Sequence, residues 1–254
     1  MMQDKILITD LDGTLVKNSI QVSEEDKQAI QTLEKEMSIG IATGRSLKEI
    51  SYIEEQTGVK AVVRIGFNGA VVEVDGDIIF SEAIEPDVLN KVLHFIKDHH
   101  IIFDALDGEE RIGTYQAEDA SKLWNMNLIE PDNLFEYLQN KTIYKINVRP
   151  ELGTSDKLLE QLKVSFPELA ICKSGETRIE ITPPGITKGQ ASQLLKKRYE
   201  GLIYSAGDSE NDISMFNVSD KSFCLSDASD SVKSHGDTVI DAFHEIVSCL
   251  NIGG

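Results

Sequence analysis

Cysteine is scarce in this chain, and the three present, Cys172, Cys224 and Cys249, are widely spaced and form no CxxC pair. An odd, scattered set gives neither a disulfide framework nor a zinc-ligand spacing, so reduced thiols in a cytoplasmic protein are expected. Long apolar runs are also missing, and no stretch approaches the roughly 20 residues that cross a bilayer. The opening Met1-Met2-Gln3-Asp4 passes straight toward an apolar strand, with no leader-like segment or small-residue cleavage site. Basic residues are outnumbered, 25 against 43 acidic ones, for a net charge of -18. That balance disfavours a sequence-independent hold on nucleic acid or on an anionic membrane, both of which need a basic face. An anionic small molecule is still compatible with it, provided a metal and a few placed cations reverse the field locally. There is no internal repeat or low-complexity tract, and His94, His99, His100, His235 and His244 lack ligand-like spacing.

Against these absences stands Lys5-Ile6-Leu7-Ile8-Thr9-Asp10-Leu11-Asp12-Gly13-Thr14-Leu15. The apolar run from Ile6 to Ile8 predicts a buried strand, and it stops at two acids two positions apart with Gly-Thr behind them. Strand side chains alternate, so Asp10 and Asp12 can project the same way, roughly 6–7 Å apart at their Cα atoms. Two carboxylates held that close repel, and a hard divalent ion such as Mg²⁺ suits an all-oxygen site. The same residues also suit a solvated acidic turn, so the rest of the chain has to decide.

At 254 residues the chain exceeds the usual size of one compact core. Ser23-Glu24-Glu25-Asp26 predicts a capped helix with Ala29, Ile30, Leu33 and Met37 on its inner face. The strand Ser38–Ala42 ends at Thr43-Gly44-Arg45. Ser46 caps a helix that buries Leu47, Ile50 and Ile53 and stops at Gly58. A third strand, Ala61–Ile65, runs into Gly66-Phe67-Asn68-Gly69. This alternation is that of a parallel sheet wound with helices. The hairpin signal Asp75-Gly76-Asp77 then interrupts the rhythm. From about Ile84 to Gly185 the pattern is that of an α+β module with an antiparallel sheet. It has helices from Pro86 and over Ser155–Phe166, and strands at Ile101–Ala105, Arg111–Tyr115, Ile143–Val148, Ala170–Lys173 and Arg178–Thr182. The stretch 117–140 has no clear period. The first rhythm returns after Pro183-Pro184-Gly185, with a helix carrying Lys188 in its first turn. The strand Leu202–Ala206 follows, ending at Gly207-Asp208-Ser209-Glu210-Asn211-Asp212. A short helix at Ile213–Phe216, the strand Ser222–Leu225, a helix near Ala228–Ser234, Val239-Ile240 and a last amphipathic helix complete the chain. In this α/β arrangement Asp10, Asp12, Thr43, Asn68 and Asp208 all fall beyond the carboxyl ends of strands, where sites in open sheets lie.

Four elements, Asp10-Leu11-Asp12-Gly13-Thr14, Ala42-Thr43-Gly44-Arg45, Thr187-Lys188-Gly189 and Gly207-Asp208-Ser209-Glu210-Asn211-Asp212, with Phe67-Asn68-Gly69-Ala70 in support, resemble the haloacid dehalogenase superfamily. The likeness is to its Cof-type sugar-phosphate phosphatases and spans essentially the whole chain. It implies a Rossmann-like parallel-sheet core, residues 1–83 and 186–254, with an inserted α+β cap, residues 84–185. The implied activity is Mg²⁺-dependent hydrolysis of a small phosphorylated metabolite by a cytoplasmic monomer or homodimer that binds neither nucleic acid nor membrane. By the same resemblance Asp10 is the nucleophile that takes the phosphoryl group. Asp12 is the acid and base, ligating metal only through its backbone carbonyl and keeping its side chain free. Asp208 supplies the other metal carboxylate, and Asp212 acts through a metal-bound water or from behind the ligands, or is simply a first-turn acid. Thr43 hydrogen-bonds a phosphoryl oxygen or is only a turn residue, with Gly44 beside it in the substrate-binding set. Lys188 neutralises charge on the phosphoryl group and on Asp10, with Asn211 helping to orient it, or is a surface lysine. Arg45 either faces the substrate or pairs with an acid of the cap. Asn68 either contacts phosphate or only makes a turn. Trp124 and Phe135 line a substrate face or pack in the cap core. A phosphomutase of the same superfamily and a non-enzymatic phosphate-responsive module are the alternatives.

Overall fold

Ile6, Leu7 and Ile8 are fully buried, as a strand covered on both faces by helices requires. In the computed structural model, which describes residues 3–174 and 177–252, they form the centre of β1 (Lys5–Thr9). Met1 and Met2 of the opening stretch lie outside the described residues. The chain divides into two compact units, one of residues 1–80 with 187–254 and one of residues 81–186.

In the first unit β1 is followed by α1 (Glu24–Leu33), β2 (Ser38–Ala42), α2 (Leu47–Thr57), β3 (Val63–Gly66), β4 (Val71–Val74) and β5 (Asp77–Ser81). The third strand begins two residues later than its apolar run predicts. The side chain of Ser23 accepts from Asp26 N to start α1, and α2 ends on Gly58 at φ 70°, a left-handed position that glycine takes without strain. The second unit contains α3 (Pro86–Asp98), β6 (Ile102–Leu106), β7 (Glu110–Gly113), β8 (Asn127–Ile129), α4 (Leu134–Gln139), β9 (Lys145–Arg149), α5 (Ser155–Ser165), β10 (Ala170–Lys173) and β11 (Ile179–Thr182). Back in the first unit, the chain adds α6 (Lys188–Lys196), β12 (Leu202–Gly207), α7 (Ile213–Phe216), β13 (Lys221–Leu225), α8 (Asp230–Lys233), β14 (Thr238–Ile240) and α9 (Glu245–Cys249).

The first unit's sheet runs β14-β13-β12-β1-β2-β3-β4-β5. It is parallel from β14 to β3 and turns antiparallel at β4. Chain progress from β1 goes one way through β2 and β3, whereas β12, β13 and β14 go the other. The order therefore reverses beside β1, the place where an open sheet forms a crevice at its carboxyl edge.

The second sheet runs β10-β11-β9-β6-β7-β8. Its antiparallel character holds except at one edge, where β8 pairs with β7 in parallel. β8 and α4 fill the stretch without a clear period. Both are short, and a segment of three or six residues is too brief to display a repeat. One face of this sheet, with Phe103, Ala105, Ile112, Ile146, Val148, Ile179 and Ile181, packs on the helices and makes the unit's core. Phe135 packs against that core, and Trp124 is buried.

The helix-free face carries Asp104, Arg111, Lys145, Asn147, Arg149 and Glu180. Asp104 is fully buried and accepts from Arg149 Nη2 and Asn147 Nδ2, both at 2.7 Å, and from Arg111 Nη1 at 3.2 Å. Burial alone pushes this carboxyl up, but the Arg149 and Arg111 charges and the hydrogen bonds outweigh it and hold the group below its usual 3.8. A depressed carboxyl stabilises the fold above its unfolded value and ceases to do so as pH falls through the lowered one. Asp104→Asn is therefore expected to cost about 3 kcal/mol at pH 7, where it leaves the buried Arg111 and the half-buried Arg149 facing a neutral amide. The deficit should shrink below pH 3.8. Thermal unfolding of both proteins at pH 7 and pH 3 checks this, and an equal deficit at the two pH values would refute it.

Candidate active site

Four loops meet at the carboxyl edge of the parallel strands. Asp10 follows β1, Thr43 follows β2, Asn68 follows β3 and Asp208 follows β12. Main-chain bonds fix the first three: Asp10 N donates to Ala206 O, Thr43 N to Ile65 O and Asn68 N to Thr43 O, each at 2.9 Å.

Lys188 enters the same space from the first turn of α6, and it is 1% exposed. Its Nζ donates to Asp10 Oδ1 at 2.6 Å and to Asp212 Oδ1 at 2.7 Å. Gly189 makes this approach possible, because a Cβ there would collide with the backbone carbonyl of Ser214. The other oxygen of Asp212 accepts from the amides of Asp208 and Ser209, both at 3.0 Å. Asp208 in turn accepts from Thr14 Oγ1 at 2.7 Å and from Ser209 Oγ at 2.9 Å. Gly13, at φ +92°, sits so close that any Cβ would strike the Asp208 carboxylate.

Asp10, Asp208 and Asp212 each offer an oxygen, and these atoms lie within 4.8 Å of one another. Three acids face one lysine, so the fully ionised group carries an excess of two negative charges. Burial, opposed by Lys188 and reinforced by Asp212 and Asp208, holds the Asp10 carboxyl well above its usual range. Burial and then Asp212 push Asp208 up as well, against the Thr14 and Ser209 hydrogen bonds. Burial would lower Lys188, but Asp10 and Asp212 more than offset it and hold the ammonium charged. An all-oxygen group with two uncompensated charges fits a hard divalent cation.

Asp12 does not join this group. Its two oxygens accept from Arg45, Oδ2 from Nε at 2.6 Å and Oδ1 from Nη2 at 2.8 Å. Arg45 pairs with Asp12 and, through Nη1 at 2.9 Å, with Glu49, both in the first unit. Asn211 does not orient Lys188 either: its Nδ2 donates to Asn68 Oδ1 at 3.2 Å, while the lysine is held by the two aspartates. Asn68 is buried at φ 59°. Thr43 is buried, and its Oγ1 accepts from Arg45 N at 3.2 Å. Gly44 lies between these two in the β2 loop.

Thr14, Ser209 and Glu49 had no role assigned by sequence. The first two sit inside recognisable loops, but nothing in their spacing says which carboxylate they serve. Glu49 was findable, because Ser46-x-x-Glu49 is a capping-box pattern, and both of its reciprocal bonds are present.

A family model for haloacid dehalogenase-like hydrolases matches residues 7–246. The chain belongs to this family. Phosphatase YwpJ of Bacillus subtilis is 24% identical, over 92% of this chain and 94% of that protein. The 5-amino-6-(5-phospho-D-ribitylamino)uracil phosphatase YcsE of the same organism is 24% identical, over 93% and 90%. Among solved structures, a HAD/COF-like hydrolase from Plasmodium vivax is 26% identical, covers 94% of this chain and 90% of its own, and superposes with a TM-score of 0.83. The chain is a phosphatase of the Cof-type branch of the haloacid dehalogenase family. No helix among the described residues is long and apolar enough to cross a membrane.

Proposed function

We propose that this phosphatase is Mg²⁺-dependent and hydrolyses small phosphomonoesters, sugar phosphates or similar metabolites, through an aspartyl-phosphate on Asp10. The observation that carries the reading is the Lys188 bridge between Asp10 and Asp212 beside Asp208, which gathers residues some two hundred positions apart onto one oxygen-lined spot.

Lys188 occupies Asp10 Oδ1, which directs the other carboxylate oxygen toward phosphorus. A carboxylate so positioned is a competent nucleophile. As the new bond forms, the ester oxygen leaves and takes a proton from Asp12. Asp12 then accepts a proton from the water that attacks the aspartyl-phosphate, and Asp10 and inorganic phosphate are released. The Thr43 hydroxyl and the Lys188 ammonium stabilise charge on the phosphoryl oxygens, the main source of rate in such transfers. Asp10, Asp208 and the backbone carbonyl of Asp12 would hold Mg²⁺, with Asp212 behind them. When bound, the ion supplies the positive charge that this acidic group lacks.

The substrate class rests on the Cof-type likeness and on YcsE, whose named substrate carries its phosphate on a ribityl chain. The second unit is assigned the choice of leaving group. Cys172, Cys224 and Cys249 are thiols rather than disulfides, which accords with a cytoplasmic location.

The test is a panel of phosphorylated metabolites assayed with Mg²⁺ and with EDTA. Hydrolysis is expected only with the ion. Independently of activity, Mg²⁺ at 100 times its Kd should stabilise the fold by about 2.7 kcal/mol. Full turnover in EDTA, or a melting temperature indifferent to Mg²⁺, would remove the metal from the proposal.

A further inference from the structure

Arg45 is pinned at both ends of its guanidinium. Nε and Nη2 grip the two oxygens of Asp12, and Nη1 donates to Glu49 Oε1. Glu49 is fully buried, and its second oxygen, Oε2, accepts from Ser46 N at 2.9 Å and Ser46 Oγ at 3.0 Å. A helix cap needs Oε2 alone. The bond from Oε1 to Arg45 adds nothing to the cap, and a buried ion pair is a poor source of net stability. An unrestrained arginine, by contrast, has many rotamers and could present its fork in many directions.

We propose that Glu49 is a positioning residue for the acid–base step, fixing the Arg45 fork and, through it, the direction in which Asp12 presents its carboxyl. This rests on the phosphatase reading, in which Asp12 hands a proton to the leaving oxygen. Misplacing such a group by a fraction of an ångström is enough to slow transfer.

Glu49→Gln separates the two uses of this side chain. Glutamine keeps an oxygen for Ser46, as capping boxes allow, and sets an amide NH₂ against Arg45 Nη1, donor against donor. The assay compares kcat/KM for p-nitrophenyl phosphate and phenyl phosphate, which differ little in size but much in how far the leaving oxygen needs a proton. For Glu49→Gln, phenyl phosphate turnover should fall about tenfold and p-nitrophenyl phosphate less than about threefold, both assayed well below a melting temperature that the lost buried pair lowers. Arg45→Lys, which keeps the charge and loses the fork, should shift the ratio the same way. Equal losses on the two substrates, or no loss on either, overturn the proposal, since a structural role would not discriminate between leaving groups. Failure of the wild-type protein to hydrolyse either ester, with or without Mg²⁺, overturns the phosphatase mechanism and this proposal together.

Discussion

Asp10→Asn is expected to lower phosphomonoester turnover by at least about 10⁴-fold while leaving the protein folded and more stable than its parent in the absence of metal. The loss follows from chemistry: an amide oxygen is far weaker than a carboxylate as a nucleophile and cannot form the acyl phosphate that water then opens. The gain in stability follows from the position of the group. Asp10 is 5% exposed and has Asp208 and Asp212 as neighbours. Burial is the chief reason that its carboxyl is held above the usual range. A raised carboxyl contributes fully to stability below its unfolded value, and that contribution is lost as pH rises through the folded one. As pH rises and Asp10 ionises, the ion-free parent therefore acquires a buried charge that the asparagine variant lacks, whereas in acid both side chains are neutral. The advantage of the variant in melting temperature should grow with rising pH and vanish toward pH 3. Lys188 keeps Asp212 as a partner in the variant, so the gain is not offset by an orphaned ammonium. Turnover above about one per cent of the parent would eliminate the covalent route.

What the sequence could and could not reveal divides along a physical line. β1, β2 and β12 were legible because a strand buried on both faces is a continuous apolar run with an abrupt polar end. The polar ends of those runs identified Asp10, Thr43 and Asp208 as neighbours once the sheet was taken as parallel. The Asp12–Arg45–Glu49 connection was not legible. It depends on a rotamer of Arg45 and on which side of α2 the capping glutamate turns, and neither leaves a trace in spacing. The same holds for Asn211, whose proximity to Lys188 in the fold is compatible with several partners, and which pairs with Asn68 instead. The parallel pairing of β8 with β7 was hidden for a different reason, since a three-residue strand shows no alternation. Hydrophobic pattern reports which face of an element is buried. The choice among polar partners at the rim is made by local geometry.

Lys188→Met should be the most damaging single change to stability, and it should cost much of the function as well. Methionine has nearly the length of lysine and no charge, so the substitution removes the ammonium without opening a large cavity. Asp10 and Asp212 would then lie buried without their shared cation, and breaking a buried pair in this way costs about 3–5 kcal/mol. Turnover should fall about 10³-fold as well, because one strong donor to the developing phosphoryl charge is gone. The pH dependence gives the cause away. Lys188 is the main influence that lowers the Asp10 carboxyl, so without it Asp10 takes up a proton more readily, and the stability deficit should be greatest at neutral pH and diminish toward pH 4. The second check is a double-mutant cycle. Where the damage comes from repulsion among unpaired acids, adding Asp10→Asn to Lys188→Met should return more stability than Asp10→Asn adds to the parent, a coupling on the order of 1–3 kcal/mol. Additive effects would mean that the lysine acts by packing alone, and the electrostatic account of the site would fall with that result.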